Sequence, residues 1–264
     1  MPVVASFVIY YHSSRMDNLE QTLRFLSKRD AAIMPVSELV LVCQDESETP
    51  PNTFSKVKQI NLGRDSYNKP LMNNIGVREA EGDIIVLLDS DRILPYGYFT
   101  QALCSVQPKQ CISTVDLHKL QRPATDEEIE HQFVPLKLDH RTIVNEMHMK
   151  NMFSGNTVMK RQDYLDAGGM DESFEGYGYN DTDFTQTMTQ WGAQYIWWDK
   201  RELHLWHPPG LEGDDMIRSN VMNGVRYCNK WNLKPGPILT KRAADIGIDL
   251  SEHIKKMKKY KLLM

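Results

Sequence analysis

Residues 68–91 read NKPLMNNIGVREAEGDIIVLLDSD, and this stretch decides the fold. A helix is expected from about Lys69 to Ala80, closed by Gly82. After it, Asp83 to Leu88 is apolar at nearly every position and ends on Asp89-Ser90-Asp91. A strand with no polar alternation is buried on both faces, as in a parallel sheet covered by helices. Working upstream, VVASFVIYY from Val3 to Tyr11 is a second such strand, broken at His12-Ser13-Ser14-Arg15. Asp17 and Glu20 then mark a helix start, with Leu19, Leu23 and Leu26 at helical spacing. Glu38 to Cys43 is a third apolar run, followed by Gln44-Asp45-Glu46, and Val57 to Leu62 is a weaker fourth. Alternating strands and helices form a parallel sheet with crossovers. Such sheets bind ligands beyond the carboxyl ends of their strands. Residues 12–15, 44–46 and 89–91 should therefore share one rim.

Downstream the pattern loosens. Ala102 to His118 gives a helix and a strand, and Lys119 to Asn151 reads as an excursion over the active face. Phe153 to Met159 returns to strand character, and Gly168 to Tyr179 leads into a helix around Asp181 to Trp191. Tyr195 to Trp198 and Glu202 to Trp206 read as two strands, with helix beyond Pro208-Pro209-Gly210 through Asn229 and again near the end.

The 264 residues carry 31 basic and 35 acidic side chains, a net charge of −4, which argues against a nucleic-acid partner. No apolar run is long enough to span a bilayer and the first residues lack a secretory pattern, so a cytoplasmic location is expected. Four scattered cysteines fit neither a disulfide scaffold nor a zinc cage. The C-terminal SEHIKKMKKYKLLM has two readings. One is a solvated terminal helix packed by its apolar residues, the favoured one; the other is a basic amphipathic helix making peripheral membrane contact.

Three groups carry chemistry. Asp89 and Asp91 crowd two carboxylates at a strand end, which suits a divalent cation of the Mg²⁺ or Mn²⁺ kind; capping the next turn would also account for them. In Gly176-Tyr177-Gly178-Tyr179-Asn180-Asp181-Thr182-Asp183, Asn180 and Asp183 fit a helix capping box, which leaves Asp181 unassigned. The glycines allow close approach of a ligand, Tyr177 and Tyr179 offer flat platforms for a sugar ring, and Asp181 could then serve as general base. His204-Leu205-Trp206-His207 adds imidazoles at a strand end, which would favour Mn²⁺ over Mg²⁺. Strand alternation puts His204 and Trp206 on one face and His207 on the other, unless the prolines redirect it.

In order, the N-terminal βα half, the DSD at 89–91, AGGMDESFEGYGYNDTDF at 167–184 and HLWH at 204–207 resemble GT-A fold glycosyltransferases. The pattern is most similar to family-two enzymes and to the galactosyltransferase and N-acetylgalactosaminyltransferase group, over Val4 to His207. The resemblance implies an α/β fold: a Rossmann-like, mostly parallel central sheet flanked by helices, with a smaller acceptor-side subdomain. It divides the chain into a nucleotide-sugar-binding half (1–118), an acceptor and catalytic half of the same domain (119–210) and a helical extension (211–264).

It further implies a UDP-sugar donor, a glycan or other hydroxyl acceptor, and Mn²⁺, with Mg²⁺ as substitute. Asp91 would ligate the metal with His207, and His204 lies where a further ligand can occur. Asp89 would lie nearer the ribose, with Ser90 between them. Ser13 and Arg15 would contact the nucleotide, Asp45 the uracil edge, and Tyr67, Lys69 and Asn74 the uridine and phosphates. Gly155 and Asn156 would border the donor sugar. A solvated lysine at a helix start remains an equal reading of Lys69. Asn180-Asp181 stands where galactosyltransferases commonly have Glu-Asp, so Asp181 matches the base while acceptor identity does not carry over. An inverting transfer is expected. Retention, a nucleotidyltransferase or nucleotide-sugar hydrolase, and a carbohydrate-binding module remain the alternatives.

Overall fold

The computed structural model describes residues 3–133, 144–148, 155–208 and 213–251. In chain order its strands are β1 (Ala5–Tyr11), β2 (Ser37–Cys43), β3 (Lys56–Asn61), β4 (Ile84–Asp89), β5 (Arg92–Ile93), β6 (Gln110–Leu120), β7 (Val144–His148), β8 (Asn156–Lys160) and β9 (Gln194–His204). The helices are α1 (Met16–Arg29), α2 (Lys69–Glu79), α3 (Tyr98–Ser105), α4 (Asp126–His131), α5 (Arg161–Asp166), α6 (Asn180–Trp191), α7 (Gly213–Lys230) and α8 (Pro237–Asp245).

The strands form one sheet in the order β3-β2-β1-β4-β8-β6-β9-β5, with β7 paired to β6. The first four run parallel. β8 then enters antiparallel to β4 and β6, and β9 returns parallel to β6. The sheet separates two cores. Phe7, Ile9, Leu39, Leu41, Val86 and Leu88 pack on one side with α1 and α3. Val8, Val40, Val42, Ile85 and Leu87 pack on the other with α2, α5 and α6. Alternate residues of the same strands therefore fill opposite cores, which is why no polar alternation was visible.

The crossover at 68–91 folds by local rules. Asn68 caps α2 by accepting from the Leu71 N–H at 2.9 Å, and Pro70 occupies the first turn. Gly76 lets the helix lie on β1, since a Cβ there would sit 2.3 Å from Val8 Cγ1. The entry to α1 differs from expectation. His12 caps a short 3-10 turn, Ser13–Arg15, by accepting from the Ser14 N–H, and no side chain caps α1 itself.

The two strands expected over 195–206 are one continuous strand, β9. Its central residues face the long ladder with β6, which absorbs the polar Asp199–Arg201 stretch through a register shift between Thr114 and Asp116. The boundary expected at 118 falls inside β6, which continues to Leu120. α4 begins with a Thr125/Glu128 capping box in the expected excursion, whose residues 134–143 and 149–151 lie outside the described residues. The same holds for residues 209–212 and for the basic segment 252–264. α7 and α8 build a separate small core of Val221, Val225, Cys228, Leu239, Ala243 and Leu250. Among the described residues no helix is long and apolar enough to cross a membrane.

Candidate active site

The loops after β1, β2 and β4 do share one rim. The Ser13 N–H donates to Asp45 Oδ1 at 2.9 Å, the Ser13 hydroxyl donates to Oδ2, and His12 Nε2 lies 3.5 Å from that oxygen. Burial works against the Asp45 charge, but donation from Ser13 and the Cys43 thiol outweighs it and holds the carboxyl at about 2. Arg15 is half-buried, and its Nη1 makes no hydrogen bond among the described residues. Its pKa is lowered by burial, and Asp91, Tyr67 and Tyr10 stand near it. A buried guanidinium nitrogen without a partner is costly, and an anion is the group that relieves it.

The DSD corner is built by β4, β5 and β9. β5 pairs antiparallel with β9 so that Arg92 lies opposite His204, and the Leu205 N–H donates to the Asp91 carbonyl at 2.8 Å. This ladder brings HLWH to the end of β4. His207 Nε2 lies 3.1 Å and His204 Nε2 3.7 Å from the same Asp91 oxygen, Oδ2. The ligand atoms of Asp91, His204 and His207 all fall within 4.8 Å of one another. Each imidazole turns its Nδ1 to a backbone carbonyl, Leu205 at 2.8 Å and Pro208 at 2.9 Å. A backbone carbonyl only accepts, so each Nδ1 carries the donated proton and Nε2 is the ring nitrogen turned to Asp91, the atom a metal would take. Burial pushes the His204 pKa down, with Asp91 opposing and Arg92 and Lys119 adding to the shift. One carboxylate and two imidazoles whose Nε2 atoms face it form a donor set that suits Mn²⁺. Both histidines reach Asp91, so Pro208 does redirect His207, and Trp206 stands exposed instead.

Asp89 is engaged differently. The Tyr10 hydroxyl donates to its Oδ1 at 2.5 Å and Lys69 Nζ donates to the same oxygen at 3.0 Å, while Arg92 Nη2 takes Oδ2 at 3.1 Å. Burial would raise its pKa, but Lys69 and Arg92 overcome that and hold it at about 2. Lys69 is not solvated: it is 4% exposed and also pairs with Asp181 Oδ1 at 2.9 Å. Burial, and then the Asp89 charge, push the Asp181 pKa up, with Lys69 pulling against them.

The capping box expected at Asn180 and Asp183 is not formed. Tyr179, at φ 64°, stands at the cap position without a side-chain bond, and Asn180 is the first residue of α6. Asp183 is drawn to Lys230 Nζ and Trp231 Nε1 of the C-terminal extension, each at 2.8 Å. Asp181 is left to face Lys69.

Four expected contacts are placed otherwise. Asn74 is buried and bound to the Tyr164 hydroxyl, to the Met170 backbone and to Glu172, so it fastens α2 to the glycine-rich turn. Asn156 is fully buried against Glu202, Thr114 and Tyr98. Tyr179 packs at a tilt against Tyr227 with centroids 5.6 Å apart, which leaves Tyr177, 52% exposed, as the open ring. Asn180 is 8% exposed, inside the wall. Of the others, Tyr67 lies beside Tyr10, its pKa raised chiefly by burial. Ser90 is buried, and its carbonyl accepts from Thr22. Gly155 abuts Asp89: at φ +78°, a Cβ there would sit 2.1 Å from Asp89 Oδ2.

Sequence reasoning missed Tyr10, Arg92 and Glu202. Arg92 Nε lies 3.3 Å from Asp91 Oδ1, and Arg92 Nη1 lies 3.4 Å from Glu202 Oε1. Burial, opposed by Arg92, pushes Glu202 up to about 7. The position of Arg92 directly after DSD was the available signal. Tyr10 and Glu202 carried none, because their partners come from other strands.

A family model described as the N-terminal domain of galactosyltransferase matches residues 138–207. No curated protein sequence matches the chain. Among solved structures, one of GalNAc-T7 with UDP, GalNAc and Mn²⁺ is similar at TM-score 0.57 and 15% identity, over 94% of this chain and 55% of that one. One of S. aureus TarS (residues 1–349) in complex with UDP-GlcNAc is similar at TM-score 0.53 and 11% identity, over 92% and 71%. A Drosophila β1,4-galactosyltransferase 7 structure is similar at TM-score 0.45 and 15% identity, over 74% and 64%. The chain thus spans about half the length of the GalNAc-T7 structure. With its sheet order and the match at 138–207, this likeness makes the fold of the chain that of the GT-A glycosyltransferases.

Proposed function

We propose that this chain is a metal-dependent glycosyltransferase that moves a sugar from a UDP-sugar to a hydroxyl acceptor. One observation carries the reading: Asp91, His204 and His207 converge at the carboxyl ends of the parallel strands, beside a second acidic group, Asp89 and Asp181, held by Lys69. The structural likeness to GalNAc-T7 with UDP, GalNAc and Mn²⁺, and to TarS with UDP-GlcNAc, supports the donor class. Asp91, His204 and His207 would hold Mn²⁺, or less well Mg²⁺, which neutralises charge on a departing diphosphate.

The chain's own residues do the rest. Ser13 and Asp45 form a polar notch on the rim for the nucleotide base, and the unpartnered Arg15 nitrogen meets a phosphate oxygen. Tyr177 offers an exposed ring to the acceptor glycan. Asp181 takes the acceptor hydroxyl proton as that oxygen bonds to the anomeric carbon and the bond to UDP breaks on the opposite side. Burial raises its pKa, which makes it a better base than an exposed carboxylate. Attack opposite the leaving group inverts the anomeric centre.

A panel of UDP-sugars with Mn²⁺ and glycan acceptors, read by UDP release and product mass, tests the reading. Acceptor-dependent UDP release with a glycosylated product is expected, and proton NMR of the anomeric signal should show inversion. UDP-sugar cleavage indifferent to acceptor makes the chain a hydrolase instead. Sugar binding without any nucleotide affinity removes the enzyme reading altogether.

A further inference from the structure

Asp91 divides its two oxygens between opposite neighbours. Both imidazole Nε2 atoms converge on Oδ2, while Oδ1 faces Arg92 Nε at 3.3 Å in a buried contact held by charge rather than by a hydrogen bond. The same guanidinium reaches Asp89 Oδ2 through Nη2 at 3.1 Å and Glu202 Oε1 through Nη1 at 3.4 Å. Glu202 is itself fixed, because its other oxygen accepts from Thr114 and Asn156. Gly155 leaves room for this arrangement: a Cβ there would come 2.8 Å from Arg92 Nε. Asp89 spends both oxygens on Tyr10, Lys69 and Arg92.

We infer that Arg92 is a positioning residue for the metal site: its planar fork, braced by Glu202, pins Asp91 Oδ1 and so presents Oδ2 alone, between two imidazoles, to the cation. The inference rests on the metal site proposed above. Three nitrogens in a rigid plane meet three carboxylates, a geometry an ammonium cannot reproduce. A cation placed 3.3 Å from a metal-ligating carboxylate would by charge alone weaken metal binding, so charge and positioning predict opposite effects of removing it.

Mn²⁺ binding to the full chain, read from the electron paramagnetic resonance signal of the free ion, separates geometry from charge. Arg92→Lys keeps the charge and loses the fork, whereas Arg92→Gln loses both; near-UV circular dichroism confirms that each is folded. Positioning predicts weaker Mn²⁺ binding in both, by about tenfold or more, the usual scale for groups that orient a metal ligand. A counter-charge alone predicts that Arg92→Gln binds Mn²⁺ more tightly and Arg92→Lys as the parent does, and either result overturns the inference. If only one of the two variants folds, that variant decides. Asp91→Asn and His207→Ala test the underlying site. Should they leave Mn²⁺ affinity unchanged, the metal reading falls and the role of Arg92 with it. If they abolish binding while the Arg92 variants match the parent, the positioning role alone falls.

Discussion

Asp89 and Asp91 stand two residues apart at the end of one strand, yet the two corners they anchor are built to opposite ends. At Asp91 two imidazoles turn their Nε2 atoms to Oδ2, and Arg92 stands beside Oδ1. At Asp89 the neighbours are a lysine, an arginine and a tyrosine hydroxyl, which satisfy both oxygens from within the chain. One corner turns a carboxylate oxygen and two imidazole nitrogens to a common point where a cation fits; the other meets its charges within the chain. A D-x-D pattern does not by itself make two ligands, because the partners on neighbouring strands decide what each carboxylate can still bind. Lys69 links the closed corner to Asp181, so the proposed base belongs electrostatically to the Asp89 side.

Breaking the open corner should have the largest effect. Asp91→Asn or His207→Ala should lower glycosyl transfer by about a thousandfold or more, the equivalent of several kcal/mol of lost charge stabilisation, measured as kcat/KM with saturating Mn²⁺. An active Asp91→Asn enzyme would erase the distinction between the corners. Next, Asp181→Asn should reduce kcat by roughly a hundred to ten thousandfold with Mn²⁺ affinity intact, as removal of a general base does. Loss of Mn²⁺ binding in that variant would merge the two sites.

Lys69→Met sharpens the comparison further. The Asp181 pKa is already raised by burial and by Asp89, with Lys69 opposing, so removing Lys69 raises it more. Activity requires the ionised form, and the acidic limb of the kcat–pH profile should therefore move to higher pH. An unmoved limb would mean that Lys69 does not act on the base. The smallest effect expected is on stability. Glu202 is pushed up to about 7, so between the ordinary glutamate value of about 4.3 and that point the unfolded chain binds fewer protons than the folded one and stability falls as pH rises. Glu202→Gln should flatten that slope in urea unfolding measured across pH 4 to 8.

The parallel half was legible because its signals are local. The helix expected from about Lys69 to Ala80 is α2, and the unbroken apolar runs of β1, β2 and β4 announce strands buried on both faces. The glycine-rich turn misled for the opposite reason. Asn180 and Asp183 have the spacing of a capping box, but Asp183 meets Lys230 and Trp231, far along the chain, and charge pairing with them prevails over a local cap. Asn74 and Asn156 were assigned to the donor pocket by the family resemblance, and in the fold both amides are buried. Buried amides must be hydrogen-bonded, and the fold supplies their partners internally.

From sequence alone came the chemistry on offer: two aspartates ending an apolar strand, an isolated pair of histidines, an aspartate after a glycine-rich turn, and the alternation that sends strand ends to one rim. The allocation of that chemistry belonged to the tertiary structure. The β5–β9 ladder sets His204 and His207 against Asp91, while Arg92 and Lys69 divide the remaining carboxylate oxygens. The reason is physical. Strand patterning follows from which side chains leave water, and that can be read residue by residue, whereas ion pairing depends on distances between atoms that only the folded chain brings together.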